Sequence, residues 1–131
     1  MQCRFFVYLW ALLLIDDVTA LEPESAPMSP ADSLAAIQVD PGFQVELVAA
    51  EPLVRDPVSL DWGADGKLWV VEMADYPYGM DGQGKPGGRV RFLTDSDGDG
   101  QYDTSTLFLD GLTFPTGVMV WRQGVLITAA P

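Results

Sequence analysis

The sequence contains no histidine, and its single cysteine is Cys3. The first absence excludes, within these residues, a Ser-His-Asp triad, a histidine zinc site and an axial haem histidine. The second leaves no disulfide and no thiol chemistry beyond residue 3. Basic residues are scarce: 7 Lys and Arg stand against 19 Asp and Glu, for a formal net charge of −12. Phosphate backbones repel such a chain, so no nucleic acid partner is expected. No apolar run reaches the ~20 residues of a membrane span. The run at residues 5–15 is uncharged and 11 residues long; it follows Arg4 and precedes Val18-Thr19-Ala20. A positive start, a short apolar stretch and small residues at the cut mark a secretory signal. Residues 1–20 are therefore expected to be removed after Ala20, leaving no transmembrane span and a secreted or periplasmic product.

With 131 residues and 48% hydrophobic composition, the chain can form one modest domain with its own core. Residues 21–40 read as a linker. Its Pro- and Ser-containing start lacks periodicity, and Ser29-Pro30-Ala31-Asp32 favours one or two helical turns. Residues 41–131 read as β-structure. At residues 43–49, Phe43, Val45 and Leu47 alternate with Gln44 and Glu46, which predicts a half-buried strand. Residues 57–72, PVSLDWGADGKLWVVE, predict two strands, 58–62 and 68–72, around an Asp65-Gly66 turn of type I′. Further strands are expected at 89–94 and 105–109.

The first hairpin recurs at residues 115–129, PTGVMVWRQGVLITA. Pro57 and Pro115, Leu60 and Val118, Gly66 and Gly124, and Leu68 and Leu126 are all 58 residues apart. A fixed offset over a four-strand unit is a repeat signature. The expected fold is all-β: a partial β-propeller, one blade plus part of the next. A β-sandwich would account for the strands but not for the offset. Closing a ring takes at least four blades, so the chain is expected to be an N-terminal fragment whose partners include the missing C-terminal blades. Trp62, Trp69 and Trp121 are expected to pack between blades.

Two groups of residues could carry chemistry. In the first, Asp95, Asp97 and Asp99 stand at positions 1, 3 and 5 of a loop with Gly100 at position 6. That spacing wraps oxygen ligands around a hard cation, making this a candidate Ca2+ loop, with Gln101 offering a backbone carbonyl and Asp103 a further ligand. Position 12 is Thr106 rather than Glu, and the flanks read as strands, so an EF-hand is disfavoured. The bland reading is an acidic hairpin that binds nothing. The second group is Arg55, Asp56, Asp75, Tyr76, Tyr78, Asp81 and Lys85. Five of these lie on a long loop, residues 73–88, that holds five Gly and two Pro. Carboxylates and aromatics on one loop suit a polar ligand such as a sugar, against the bland reading of a solvated loop with turn-forming residues. No proton acceptor with a partner can be named, so catalytic residues stay unknown and enzyme status uncertain.

PVSLDWGADGKLWVVE and GRVRFLTDSDGDGQYDTSTLFLDGLTFPTGVMVW also carry a family resemblance. The chain resembles the bacterial secreted proteins grouped as membrane-bound dehydrogenases. Their propeller is related to soluble quinoprotein glucose/sorbosone dehydrogenases. The likeness covers residues 30–131. It rests on Pro57, the Asp65-Gly66 turn, the Trp69-Val70-Val71-Glu72 strand, the Asp97–Gly100 loop and Phe114-Pro115-Thr116-Gly117. It implies a six-bladed propeller in a longer parent that oxidises a sugar or alcohol substrate with pyrroloquinoline quinone (PQQ) and passes electrons to haem c. The family's catalytic His and CxxCH haem motif have no counterpart in this sequence. The rival expectation is a non-catalytic propeller that binds carbohydrate or protein, with calcium holding one hairpin.

Overall fold

The computed structural model describes residues 26–130, so the expected signal at residues 1–20 lies outside the described residues. The order is one short helix and six strands: α1 (Pro30–Ala36), β1 (Pro57–Trp62), β2 (Leu68–Glu72), β3 (Gly88–Thr94), β4 (Thr104–Leu112), β5 (Pro115–Trp121) and β6 (Gly124–Ala129). The described chain is all-β apart from α1, and no described helix is long and apolar enough to cross a membrane. The helix starts where the sequence places it. Ser29 caps it, accepting the Asp32 N–H at 3.1 Å, and Pro30 sits in the first turn where no N–H is needed.

β1 to β4 form an antiparallel meander in sequence order, and β5 and β6 form a separate hairpin. The two hairpins β1–β2 and β5–β6 are the same unit. Each has a register irregularity at its start, between Pro57 and Ser59 in one and between Pro115 and Gly117 in the other. The irregularities are 58 residues apart, so the sequence echo is also an echo in backbone geometry. Past that point the second hairpin is one residue shorter at its turn: Trp62 pairs with Leu68, whereas Val120 pairs with Val125.

The first turn differs from the expected type I′. It spans Gly63 to Gly66, closed by Gly66 N–H to Gly63 O at 3.0 Å, and of Asp65 and Gly66 only the glycine has positive φ, +79°. Asp65 serves instead as an acceptor for the Lys67 N–H and ammonium. A Cβ at Gly66 would meet nothing within 4 Å, so only backbone strain opposes a side chain there. Gly66→Ala should therefore cost about 1 kcal/mol in urea denaturation without shifting the strands.

The sheet has two sides. Leu68, Val70 and Leu93 face one, and this core is covered by Ala49, Val54 and Tyr102. Ser59, Asp61, Trp69 and Val71 face the other; there Trp69 meets Phe92 at 5.3 Å and Phe108 edge-on at 4.9 Å. β5 lies against β1 and β2 on this second side. Its Val118 and Val120 N–H groups donate to Ser59 Oγ at 3.3 Å and to Asp61 Oδ2 at 2.7 Å. The alternation on β1 is thus as expected, but the covered side is the polar one. Val58, Leu60 and Trp62, on the outermost strand of the meander, are about half exposed, although Trp62 reaches the Tyr102 hydroxyl through its indole N–H.

Two expectations need correction. Residues 43–49 are not a strand. The segment keeps its alternation, with Val45, Leu47 and Ala49 half-buried. Its tie to the sheet is one backbone bond, Tyr102 N–H to Val48 O at 2.7 Å, rather than a ladder. Of the tryptophans expected to pack between blades, Trp69 is half-buried, whereas Trp62 and Trp121 are each 53% exposed.

Candidate functional site

In a meander, alternate connections emerge at opposite ends, and this separates the two candidate groups. The β2–β3 loop meets the β4–β5 connection at one end, where Phe114 N–H donates to Asp75 Oδ2 at 3.2 Å. The β1–β2 turn meets the β3–β4 loop at the other, where Trp62 Nε1–H donates to the Tyr102 hydroxyl at 2.9 Å, which in turn donates to Gly66 O at 3.0 Å. A strand of β3's length spans roughly 20 Å. The long loop and the acidic loop therefore cannot act on one small ligand.

The loop end is built on buried carboxylates. Glu72, 3% exposed, closes β2; its Oε1 accepts the Arg55 N–H at 2.8 Å and its Oε2 the Arg91 Nε–H at 3.0 Å. It thereby pins the segment entering β1 to the middle of the sheet. Met73 N–H to Asp56 O, at 3.1 Å, extends the same seam. Glu72 escapes the sequence reading because it looks like the solvated end of an apolar run. The signal that could have found it is Arg89 and Arg91 at alternate positions of the next strand. Asp75 is 1% exposed, and its Oδ1 has no hydrogen-bond partner among the described residues.

Beyond these two carboxylates the loop folds on itself. Asp81 Oδ1 accepts the Gln83 N–H at 2.8 Å and the Lys85 N–H at 3.1 Å, while Gly79 N–H reaches Asp75 O and Met80 N–H reaches Lys85 O. Tyr76 and Tyr78 project outward, 72% and 73% exposed. A depression of about 340 Å³ lies at the loop's foot, lined by Asp56, Pro57, Val58, Met73, Ala74 and Tyr76. Of the second group, Asp56 and Tyr76 thus share a concave surface, and Asp75 precedes Tyr76 in sequence. Asp81 is a turn former, and Arg55 faces the exposed Glu51 carboxylate at 4.0 Å.

At the opposite end, Asp95, Asp97 and Asp99 each bring a carboxylate oxygen within 4.8 Å of the others. The loop is held by its own carboxylates. Asp95 accepts the Gly98 and Gly100 N–H groups at 2.7 and 2.9 Å, Asp97 that of Asp99 at 3.2 Å, and Asp99 that of Gln101 at 2.7 Å. Asp103 turns its oxygens to Ser96 and to the Thr104 hydroxyl. The triad is the donor set of a hard cation, although every bond observed in it is to the loop's own backbone: Asx turns at Asp97 and Asp99, and longer reaches from Asp95 to the Gly98 and Gly100 N–H groups.

These bonds set the acid response. The Gly100 and Gly98 N–H groups hold Asp95 below the ordinary Asp value of 3.8, and the Ser96 and Thr104 hydroxyls do the same for Asp103. Asp65 is lowered by Lys67, Asp81 by the Gln83 and Lys85 N–H groups, and Asp110 by the Gly111 N–H and then Arg89. All five are lowered on folding, so the unfolded chain binds more protons in acid. Their contribution is complete above 3.8 and is lost as pH falls through the lowered values. The thermal midpoint should stay level from neutral pH down to the upper edge of the carboxylate range and drop below it, as calorimetry across pH would record.

The cofactors implied by the resemblance do not fit these residues. PQQ carries three carboxylates of its own, and the guanidinium groups at the loop end already face carboxylates of the chain: Arg55 faces Glu51, Arg89 faces Asp110 and Arg91 faces Glu72. Covalent haem attachment takes the absent CxxCH. No curated protein and no solved structure matches the chain. The family described as Domain of unknown function (DUF7133) matches residues 29–131, and the chain belongs to that family.

Proposed function

We propose that the chain supplies consecutive wedges of a β-propeller whose loop-bearing end grips a polar ligand of the sugar or alcohol class. The observation that carries this reading is the depression at the foot of the β2–β3 loop, where Asp56 and Tyr76 combine acceptors with an aromatic surface. The repeated hairpin with its repeated irregularity supports the wedge arrangement. Export through residues 1–20 is part of the same proposal. So is the parent activity that the family resemblance implies, oxidation of the ligand with electrons passed to haem c. In that scheme the present residues bind and orient, and redox groups come from elsewhere in the parent. A non-catalytic binder of carbohydrate or protein is the second reading, favoured by Glu72, the paired carboxylate at this end, being taken up in holding Arg55 and Arg91.

Saturation-transfer NMR with neutral monosaccharides tests the binding. Transfer is expected to the wild-type chain and to be lost in Tyr76→Ala; no transfer, or equal transfer to both, overturns the reading. Dye reduction and a quinone or haem absorption band from the full-length gene product would separate enzyme from binder. For the Asp95, Asp97 and Asp99 triad we propose weak calcium binding, in the ~10⁻⁴–10⁻³ M range of extracellular modules. Isothermal titration should give heat that disappears in Asp97→Ala; absent heat, or heat unchanged by the substitution, removes the ion from the account.

A further inference from the structure

The depression at the foot of the β2–β3 loop carries charge of one sign. Asp56 lines it as an exposed carboxylate, and neither Lys nor Arg is among its lining residues. Among the described residues no cation pairs with Asp56; Arg55, Arg89 and Arg91 each face another carboxylate. Asp75 stands between two lining residues, Ala74 and Tyr76. It is buried, its Oδ2 accepts only the neutral Phe114 N–H, and its Oδ1 has no partner among the described residues. The rest of the lining is apolar, apart from the Tyr76 hydroxyl. Apolar walls around charge of one sign concentrate its field. The backbone does not dictate the acid at Asp56. Asp56 has φ +48° ahead of Pro57, and Phe114, 58 residues later, has φ +41° ahead of Pro115. Asp56 O accepts the Met73 N–H and Phe114 O the Ala130 N–H, both at 3.1 Å. The second hairpin thus makes the same corner with a phenylalanine, which leaves the Asp56 carboxylate unexplained by the fold.

We propose that the depression selects a cationic member of its ligand class: an amino sugar or amino alcohol whose ammonium group meets the Asp56 carboxylate and the Tyr76 ring. The proposal deepens the ligand reading above and rests on it. An ammonium gains from the carboxylate by charge and from the aromatic ring by its quadrupole, whereas an anionic ligand is repelled. Tyr76 is 72% exposed, so its ring is open to that contact. The net charge of −12 draws cations towards the chain as a whole, and the depression gives them a place to dock.

Amide-shift NMR titrations with D-glucosamine, D-glucose and D-glucuronate test it, read at Ala74 and Tyr76. The three share a ring and at ~pH 6 differ in charge, being cation, neutral and anion. Glucosamine should bind about tenfold more tightly than glucose, since an exposed ion pair and an exposed cation–π contact are each worth a few-fold, and glucuronate should bind most weakly. Asp56→Asn keeps an acceptor and tolerates positive φ, so the fold should persist, as the same amide spectra record. In that variant the glucosamine advantage should fall to about threefold or less, the share left to the ring. Glu46→Gln removes an equal charge from the exposed segment that Tyr102 ties at the other end, and should leave the advantage intact. Glucose binding as tightly as glucosamine overturns the preference while leaving the ligand reading in place. So does an advantage that survives Asp56→Asn, or one that Glu46→Gln lowers equally, the mark of attraction to the whole chain. Shifts from none of the three sugars remove the ligand reading itself, and this proposal with it.

Discussion

Glu72→Ala should lower stability by about 3 kcal/mol, near the lower end of what removing one partner of a buried ion pair costs. The substitution takes the carboxylate from the Arg91 guanidinium and from the Arg55 N–H together. Arg91 keeps one long bond, to Ser105 Oγ at 3.4 Å. Its side chain is 24% exposed, so water partly relieves the stranded charge, which is why the upper end of the range is not expected. A loss of that size lowers the thermal midpoint of a domain this small by roughly 15 °C. Urea denaturation followed by tryptophan fluorescence would measure it. Glu72→Gln keeps an acceptor for Arg55 and should fall between wild type and alanine. In a double-mutant cycle with Arg91→Met, the two costs should fail to add by more than about 1 kcal/mol. Strict additivity would mean the pair is not coupled. The change should also reach the depression at the foot of the β2–β3 loop, because Glu72 fixes the backbone that leads into Asp56 and Pro57.

That pair shows where the sequence could be read and where it could not. β2 was legible to the residue because four apolar positions in a row, cut off by a charge, leave few other choices. The repeated hairpin was legible because turn and strand chemistry recur together. Burial was harder. Alternation on β1 announces two unlike sides but not which one a neighbour covers, and here β5 covers Ser59 and Asp61 by donating backbone N–H groups to them. Residues 43–49 have the same alternation without becoming a strand, because a strand is defined by its partner, and here a single backbone bond from Tyr102 to Val48 and the packing of Ala49 on the core take the place of a ladder. Asp75 reads as one more polar loop residue, yet it is buried against the connection into β5. The Asp95–Gly100 loop was the plainest motif in the chain. What the fold adds there is that its carboxylates cap its own N–H groups and that it sits at the end away from the depression.

The junction between the sheets rests on a glycine with ordinary φ, and this makes the second large effect. Gly88 opens β3 and is buried. A Cβ built there would lie 2.5 Å from Pro115 Cγ and 2.8 Å from Leu112 O. Neither can yield: the proline ring is locked, and the carbonyl belongs to β4, which pairs with β3 at that point. Gly88→Ala should therefore push β5 off the first sheet, at a cost of roughly 3 kcal/mol, the upper part of the overpacking range. Gly87 gives the contrast. Its Cβ would meet the Met80 side chain, which has rotamers to spare, so Gly87→Ala should be milder. Amide hydrogen exchange separates displacement from general unfolding. In Gly88→Ala, Val118 and Val120 should lose protection as their N–H groups leave Ser59 and Asp61, while Val70, Val71 and Val90 in the middle of the meander keep theirs. Equal loss across both sheets would mean that β5–β6 and the meander unfold as one unit. Unchanged protection at Val118 and Val120 would mean that the packing of Pro115 on Gly88 does not hold the two sheets together.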